Sequence, residues 1–159
     1  MYIEDKYWGN YIGETDDSLT LIDYLASKQK RNISVTEIFE DMGLHQLPED
    51  IRQADSLLVN AGEWEMEIYY PIDLITDLAS ILLECKVSGS IELSELADDD
   101  EYQQTVCITA TSEEHVFIHQ VLGDFVATPL AYNLSEMVPE EDMLEMAAIC
   151  EELRKELYE

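Results

Sequence analysis

A chain of 159 residues has the length of one ordinary domain, and 47% apolar with 28% charged residues is the balance of a folded soluble protein. Its 36 Asp and Glu against 8 Lys and Arg leave a net charge of -28, which repels phosphate backbones and anionic headgroups and argues against direct nucleic-acid or membrane-surface binding. The charge is uneven: residues 87–153 hold 16 acids and no Lys or Arg.

Two helices and a strand are predicted in the first 70 residues. Gly13-Glu14-Thr15-Asp16-Asp17 offers caps for a helix over roughly 18–29, with Leu19, Ile22, Leu25 and Ala26 facing inward. A second helix spans Val35 to Met42, with Val35, Ile38, Phe39 and Met42 on one side and Gly43 as its stop. Residues 44–62 read as a loop with one helical turn after Pro48. From Glu63 the pattern alternates, Trp64, Met66, Ile68 and Tyr70 against Glu63, Glu65, Glu67 and Tyr69, as in a half-buried strand.

Pro71 to Val87 then places Ile72, Ile75, Leu78, Ala79, Leu82 and Leu83 at helical spacing, with Asp73, Asp77, Ser80 and Glu84 on the opposite stripe. Short strands follow around Ile91–Leu93 and Thr105–Ala110, joined through a hairpin-type loop at 97–102. Thr111-Ser112-Glu113-Glu114 is a capping-box pattern opening a helix to about Phe125. A last helix follows Pro139, with Met143, Met146, Ala147, Cys150, Leu153 and Leu157 as its apolar stripe. The order describes an α+β fold in one domain over residues 1–159, with a small, mostly antiparallel sheet of about three strands covered by four or five helices.

Cys85, Cys107 and Cys150 form no C-x-x-C pair and read as reduced, mostly buried thiols. The first ten residues lack the basic start and apolar run of a secretory signal, and no stretch approaches the roughly 18 apolar residues of a membrane span, so a cytoplasmic location is expected.

Two acidic clusters stand out as contact candidates. Glu63, Glu65 and Glu67 share one strand face, about 6–7 Å apart, with Glu92 a possible extension. Such a row suits either a solvated face that discourages edge pairing or a surface awaiting Lys and Arg from a partner. Asp98, Asp99, Asp100 and Glu101 form an exposed acidic loop or a partner-binding tip, with Tyr102 beside them as contact area. The loop lacks the ligand spacing and glycine of a calcium-binding loop, so no metal is expected there. His115 and His119 share a helix face at the spacing of zinc-binding H-E-x-x-H, but Val116 stands where the catalytic Glu belongs, and packing histidines are the simpler reading. His45 falls in a loop with no placed partner.

The nucleophile-elbow, phosphate-loop and dinucleotide-binding glycine patterns are all missing, so neither catalysis nor a cofactor is expected. The opening Tyr7-Trp8-Gly9-Asn10-Tyr11-Ile12-Gly13-Glu14-Thr15-Asp16-Asp17-Ser18-Leu19 and the block Ile72-Asp73-Leu74-Ile75-Thr76-Asp77-Leu78 resemble bacterial immunity proteins encoded beside polymorphic or contact-dependent toxins, in particular those paired with cell-wall-associated nuclease toxins. The resemblance covers about a third of the chain, rests on packing and capping residues, and carries no binding residue across.

What the resemblance implies is an inhibitor that binds and neutralises a cognate basic toxin domain, a nuclease, with carboxylates where phosphates would otherwise lie. Complementary fields would speed capture, to about 10^8–10^9 M⁻¹s⁻¹ at low salt in favourable cases. Glu63, Glu65, Glu67, Asp98, Asp99, Asp100, Glu101 and Tyr102 are then the first contact candidates. Three other readings compete: a nucleic-acid mimic that blocks DNA-binding proteins, a small enzyme without a recognisable motif, and a halophilic source whose acids need no partner.

Overall fold

The computed structural model describes residues 1–9, 11–44, 51–61 and 64–159, Ala61 by its backbone alone. The first helix, α1 (Asp16–Ser27), starts where Thr15 and Ser18 close a capping box, each side-chain oxygen accepting the other's backbone N–H. Its inward face differs from the expected stripe. Leu21, Ile22, Tyr24 and Leu25 turn inward together with Asp17, Ser18 and Thr20, whereas Leu19 is 50% exposed. Asp17 and Ser18 are drawn in because the Tyr69 and Tyr70 backbone N–H groups and the Asp77 carboxyl are their hydrogen-bond partners, whereas Thr20 turns its hydroxyl back to the Asp16 carbonyl at 3.1 Å.

β1 (Asn32–Ser34) leads directly into α2 (Val35–Met42), which Ser34 caps and Gly43 ends in the left-handed region at φ 68°. Its buried residues are those the helical spacing selected. The segment read as a loop holds a strand: β2 (Leu57–Ala61) pairs antiparallel with β3 (Trp64–Ile68), setting Leu58 opposite Glu67 and Asn60 opposite Glu65. Leu57-Leu58-Val59-Asn60 carries no alternation to reveal it. The turn expected after Pro48 falls largely outside the described residues, as do His45 and Glu63.

α3 (Pro71–Ser88) opens on Pro71 in its first turn and is buried at every residue from Pro71 to Glu84. The stripe of Asp73, Asp77, Ser80 and Glu84 is therefore interior. The N-terminal segment crosses it, with Ile3 N–H donating to Glu84 at 3.0 Å and Gly13 N–H to Asp77 at 3.2 Å. Gly13 is required there: its φ is 90°, and a Cβ would stand 2.2 Å from the Trp8 ring. Trp8 in turn donates its indole N–H to the Leu96 carbonyl at 3.0 Å.

β4 (Ile91–Glu92) is shorter than expected, because Leu93 begins a one-turn helix, α4 (Leu93–Ala97), before the chain returns as β5 (Thr105–Thr109). β5 is central in a three-stranded sheet of order β1-β5-β4, antiparallel to β4 and parallel to β1. β1 escaped the sequence pattern because only Ile33 of its three residues is apolar. α5 (Ser112–Ala127) carries the Thr111–Glu114 capping box, and α6 (Glu140–Tyr158) buries the expected Met143, Met146, Ala147, Cys150, Leu153 and Leu157. The result is an α+β fold in which α1, α5, α6 and the small sheet surround α3, with the β2–β3 hairpin laid across α1 as a second sheet.

Candidate functional site

Many of the acids are engaged within the protein. Few cations are at hand, so tyrosine hydroxyls do much of the pairing: Tyr2 and Tyr7 donate to Glu156, Tyr11 to Glu145 and Asp142, Tyr24 to Asp41, and Tyr132 to Asp124. The ion pairs fall on the same carboxylates and their neighbours, Lys6 with Glu156, Lys28 with Glu37 and Asp41, Arg52 with Asp124, and Arg154 with Glu151. Glu156, held by Lys6 and two tyrosines, is pulled down to about 2 against its desolvation.

The candidate contact residues are arranged differently. Glu65 is exposed and Glu67 half-buried on the outer face of β3, where Ser56 donates to Glu67. Asp98 takes the left-handed cap position of α4, and Asp99 accepts the Glu101 backbone N–H at 2.9 Å, which fixes the turn while Asp98, Asp99, Asp100 and Glu101 stay exposed. Among the described residues, none of these carboxylates is paired with Lys or Arg. Tyr102 is half-buried and donates to Asp23 of α1, which with burial pushes its phenol up to about 12.

That bond joins the two clusters through α1. Asp23 lines one groove with Ala26, Ser27, Trp64, Glu65 and Met66, so the loop and the hairpin flank the last turns of α1. Glu92 belongs with the loop, beside Asp100, Tyr102 and Thr105, and does not extend the β3 row, because β4 lies in the other sheet. Trp64, assigned to the inward side of its strand, keeps that side but is 75% exposed, since it sits at the hairpin end beyond the core. His115 and His119 share a face toward α6, where Tyr158 contacts both rings, with its hydroxyl 3.1 Å from His115 Nδ1. Cys150 is buried, and Cys85 and Cys107 are half-buried.

Sequence reasoning missed a buried carboxyl cluster. Asp17 accepts the backbone N–H groups of Tyr69 and Tyr70 at 2.7 and 3.0 Å, Asp77 accepts Ser18 Oγ at 2.7 Å, and Asp73 is hydrogen-bonded to Asp17. Burial first, then Asp77 and Asp17, push Asp73 up to about 9, and burial pushes Asp77 up to about 7. The cluster ties α1, α3, the N-terminal segment and the end of β3 at one interior point. Asp73 and Asp77, one turn apart among the apolar residues that open α3, were its signal.

Open carboxylates around an exposed aromatic residue are the features of a binding surface rather than of a catalytic pocket. The chain belongs to the family described as Immunity protein 68, whose model matches residues 2–157. It is thereby an immunity protein of a toxin system, a family role that implies an inhibitor of a cognate toxin rather than an enzyme. No match was found among curated proteins or among solved structures. No helix among the described residues is long and apolar enough to cross a membrane.

Proposed function

We propose that this immunity protein neutralises a basic toxin domain, a nuclease, by covering its substrate groove with the acidic surface that runs from the 98–101 loop across α1 to the outer face of β3. The contact residues are Glu63, Glu65, Glu67, Asp98, Asp99, Asp100, Glu101 and Tyr102. The observation that carries the reading is that Glu65 and the run Asp98, Asp99, Asp100 and Glu101 face water on either side of the last turns of α1 with no Lys or Arg against them among the described residues, whereas Glu37, Asp41, Asp124, Glu151 and Glu156 hold cations within the protein. Such groups repel one another in the free protein and gain partners only in a complex. Tyr102 acts as a rim contact, because its hydroxyl is already committed to Asp23.

Capture from the native cells with tagged protein, at physiological and at high salt, tests this reading. One stoichiometric basic protein with nuclease activity, inhibited by the tagged protein and released by salt, is the expected result. Lys substitutions at Asp98, Asp99, Asp100 and Glu101, combined with Glu65→Lys and Glu67→Lys, should weaken that complex while leaving the thermal midpoint near the wild-type value. Unchanged affinity in both sets would place the interface elsewhere.

A further inference from the structure

The groove between the hairpin end and α1 has features that the acidic clusters alone do not. It encloses about 660 Å³. One wall is the indole of Trp64, 75% exposed, which offers a large apolar area and an open π-face to a ligand. Met66 and the small Ala26 and Ser27 leave room beside it, and two carboxylates, Asp23 and Glu65, stand at the edges.

Asp23 lines the groove with acceptor capacity to spare. Its Oδ1 accepts the Tyr102 hydroxyl, and its Oδ2 has no protein partner among the described residues. Asp23, Ala26 and Ser27 also belong to the last turns of α1, where the carbonyl end of the helix dipole favours positive charge. No basic residue occupies that last turn, and Lys28, next in the chain, turns away to Glu37 and Asp41. An aromatic wall, two carboxylates and a helix C-terminus all favour a cation on an aliphatic stem. A planar guanidinium matches the set best, stacking on the indole while a carboxylate accepts two of its N–H groups.

We propose that the groove of Trp64, Asp23, Glu65 and the last turn of α1 is an arginine-anchoring pocket that receives one Arg side chain of the basic partner. The assignment rests on the reading of a basic toxin partner and deepens it. It makes Trp64 the hot spot of the surface and the flanking carboxylates its steering rim.

Both tryptophans emit, but Trp8 is buried and out of a ligand's reach, so a change of emission on titration, absent in Trp64→Ala, reports on this groove, and calorimetry reads the variants that lack the indole. Titration of the intact protein with hexa-arginine and hexa-lysine peptides at matched ionic strength, followed by fluorescence and calorimetry, is the test. Hexa-arginine should bind more tightly than hexa-lysine and shift the Trp64 emission. Trp64→Ala should weaken hexa-arginine binding about five- to tenfold and remove the preference over hexa-lysine, and Trp64→Phe should retain most of it. Asp23→Asn should weaken both peptides less than Trp64→Ala weakens hexa-arginine. The exposure of Trp64 makes these variants safe for folding, which circular dichroism checks. Equal binding by wild type and Trp64→Ala, or no preference for arginine in the wild type, overturns the pocket. If charge reversal at Asp99 and Glu101 then abolishes binding, the acidic surface still stands and only the groove is lost.

Discussion

Asp73→Asn is expected to stabilise the protein, and increasingly so as the pH rises. Burial first, and then the neighbouring Asp77 and Asp17, push Asp73 up to about 9 in the fold, against about 3.9 in an unfolded chain. A carboxyl whose folded value is raised binds more protons in the folded state across that interval, so its contribution falls with rising pH, by about 1.4 kcal/mol per pH unit. The asparagine amide has the same shape as the protonated carboxyl, donates toward Asp17 in the same way, and never ionises. The variant should therefore gain on wild type by on the order of 3 kcal/mol between about pH 5 and pH 7. Urea unfolding of both proteins at about pH 5, 6, 7 and 8 measures the difference, which cancels the surface repulsion common to the two. A difference that is flat with pH, or a wild type that grows more stable from pH 5 to pH 8, would refute the reasoning. Asp77→Asn is less favourable, because Asp77 accepts both Ser18 Oγ and Gly13 N–H and an amide cannot accept both at one oxygen without leaving its N–H₂ against a donor.

Glu156→Gln should behave in the opposite sense. The folded value is lowered to about 2, so its stabilisation is present above about pH 4.3 and fades as the pH falls toward 2; acid titration by circular dichroism should show wild type and variant converging there. Gly13→Ala should cost about 2–4 kcal/mol, from the positive φ together with the collision against Trp8, read as a lowered urea midpoint with quenched native Trp8 packing. Thr111→Ala removes the cap at Glu114 N–H and should cost about 1 kcal/mol, checked by the same unfolding curves. Sodium chloride between about 0.05 and 0.5 M should raise the thermal midpoint, because the unpaired carboxylates at 98–101 lie within a Debye length of one another; a midpoint flat in salt would mean that their repulsion is negligible.

Periodicity located α2, α3 and α6, the capping box located α5, and for α2 and α6 the spacing named the buried residues correctly, because each of those helices packs on one side and leaves the other to water. Caps were equally legible, since the Thr111–Glu114 pair is local chemistry closed within one turn. The net charge, the family resemblance and the two acidic clusters were also present in the residues themselves. What only the tertiary structure decided is where polar residues go when an element is covered on every side. Asp73, Asp77, Ser80 and Glu84 form a polar stripe by spacing, yet the N-terminal segment and α1 lie across it and supply the N–H and O–H donors that let it be buried. Leu19 and Trp64 show the converse: each is apolar and fits an inward pattern, and each is left in water because nothing packs over that stretch of its element. β1 depended on β5, a partner distant in sequence, whereas β2 pairs with its neighbour β3 and escaped notice because its residues do not alternate. The groove at Trp64 arose in the same way, from a hairpin end, a helix terminus and a tyrosine-anchored aspartate brought together by packing, which no window of the sequence contains.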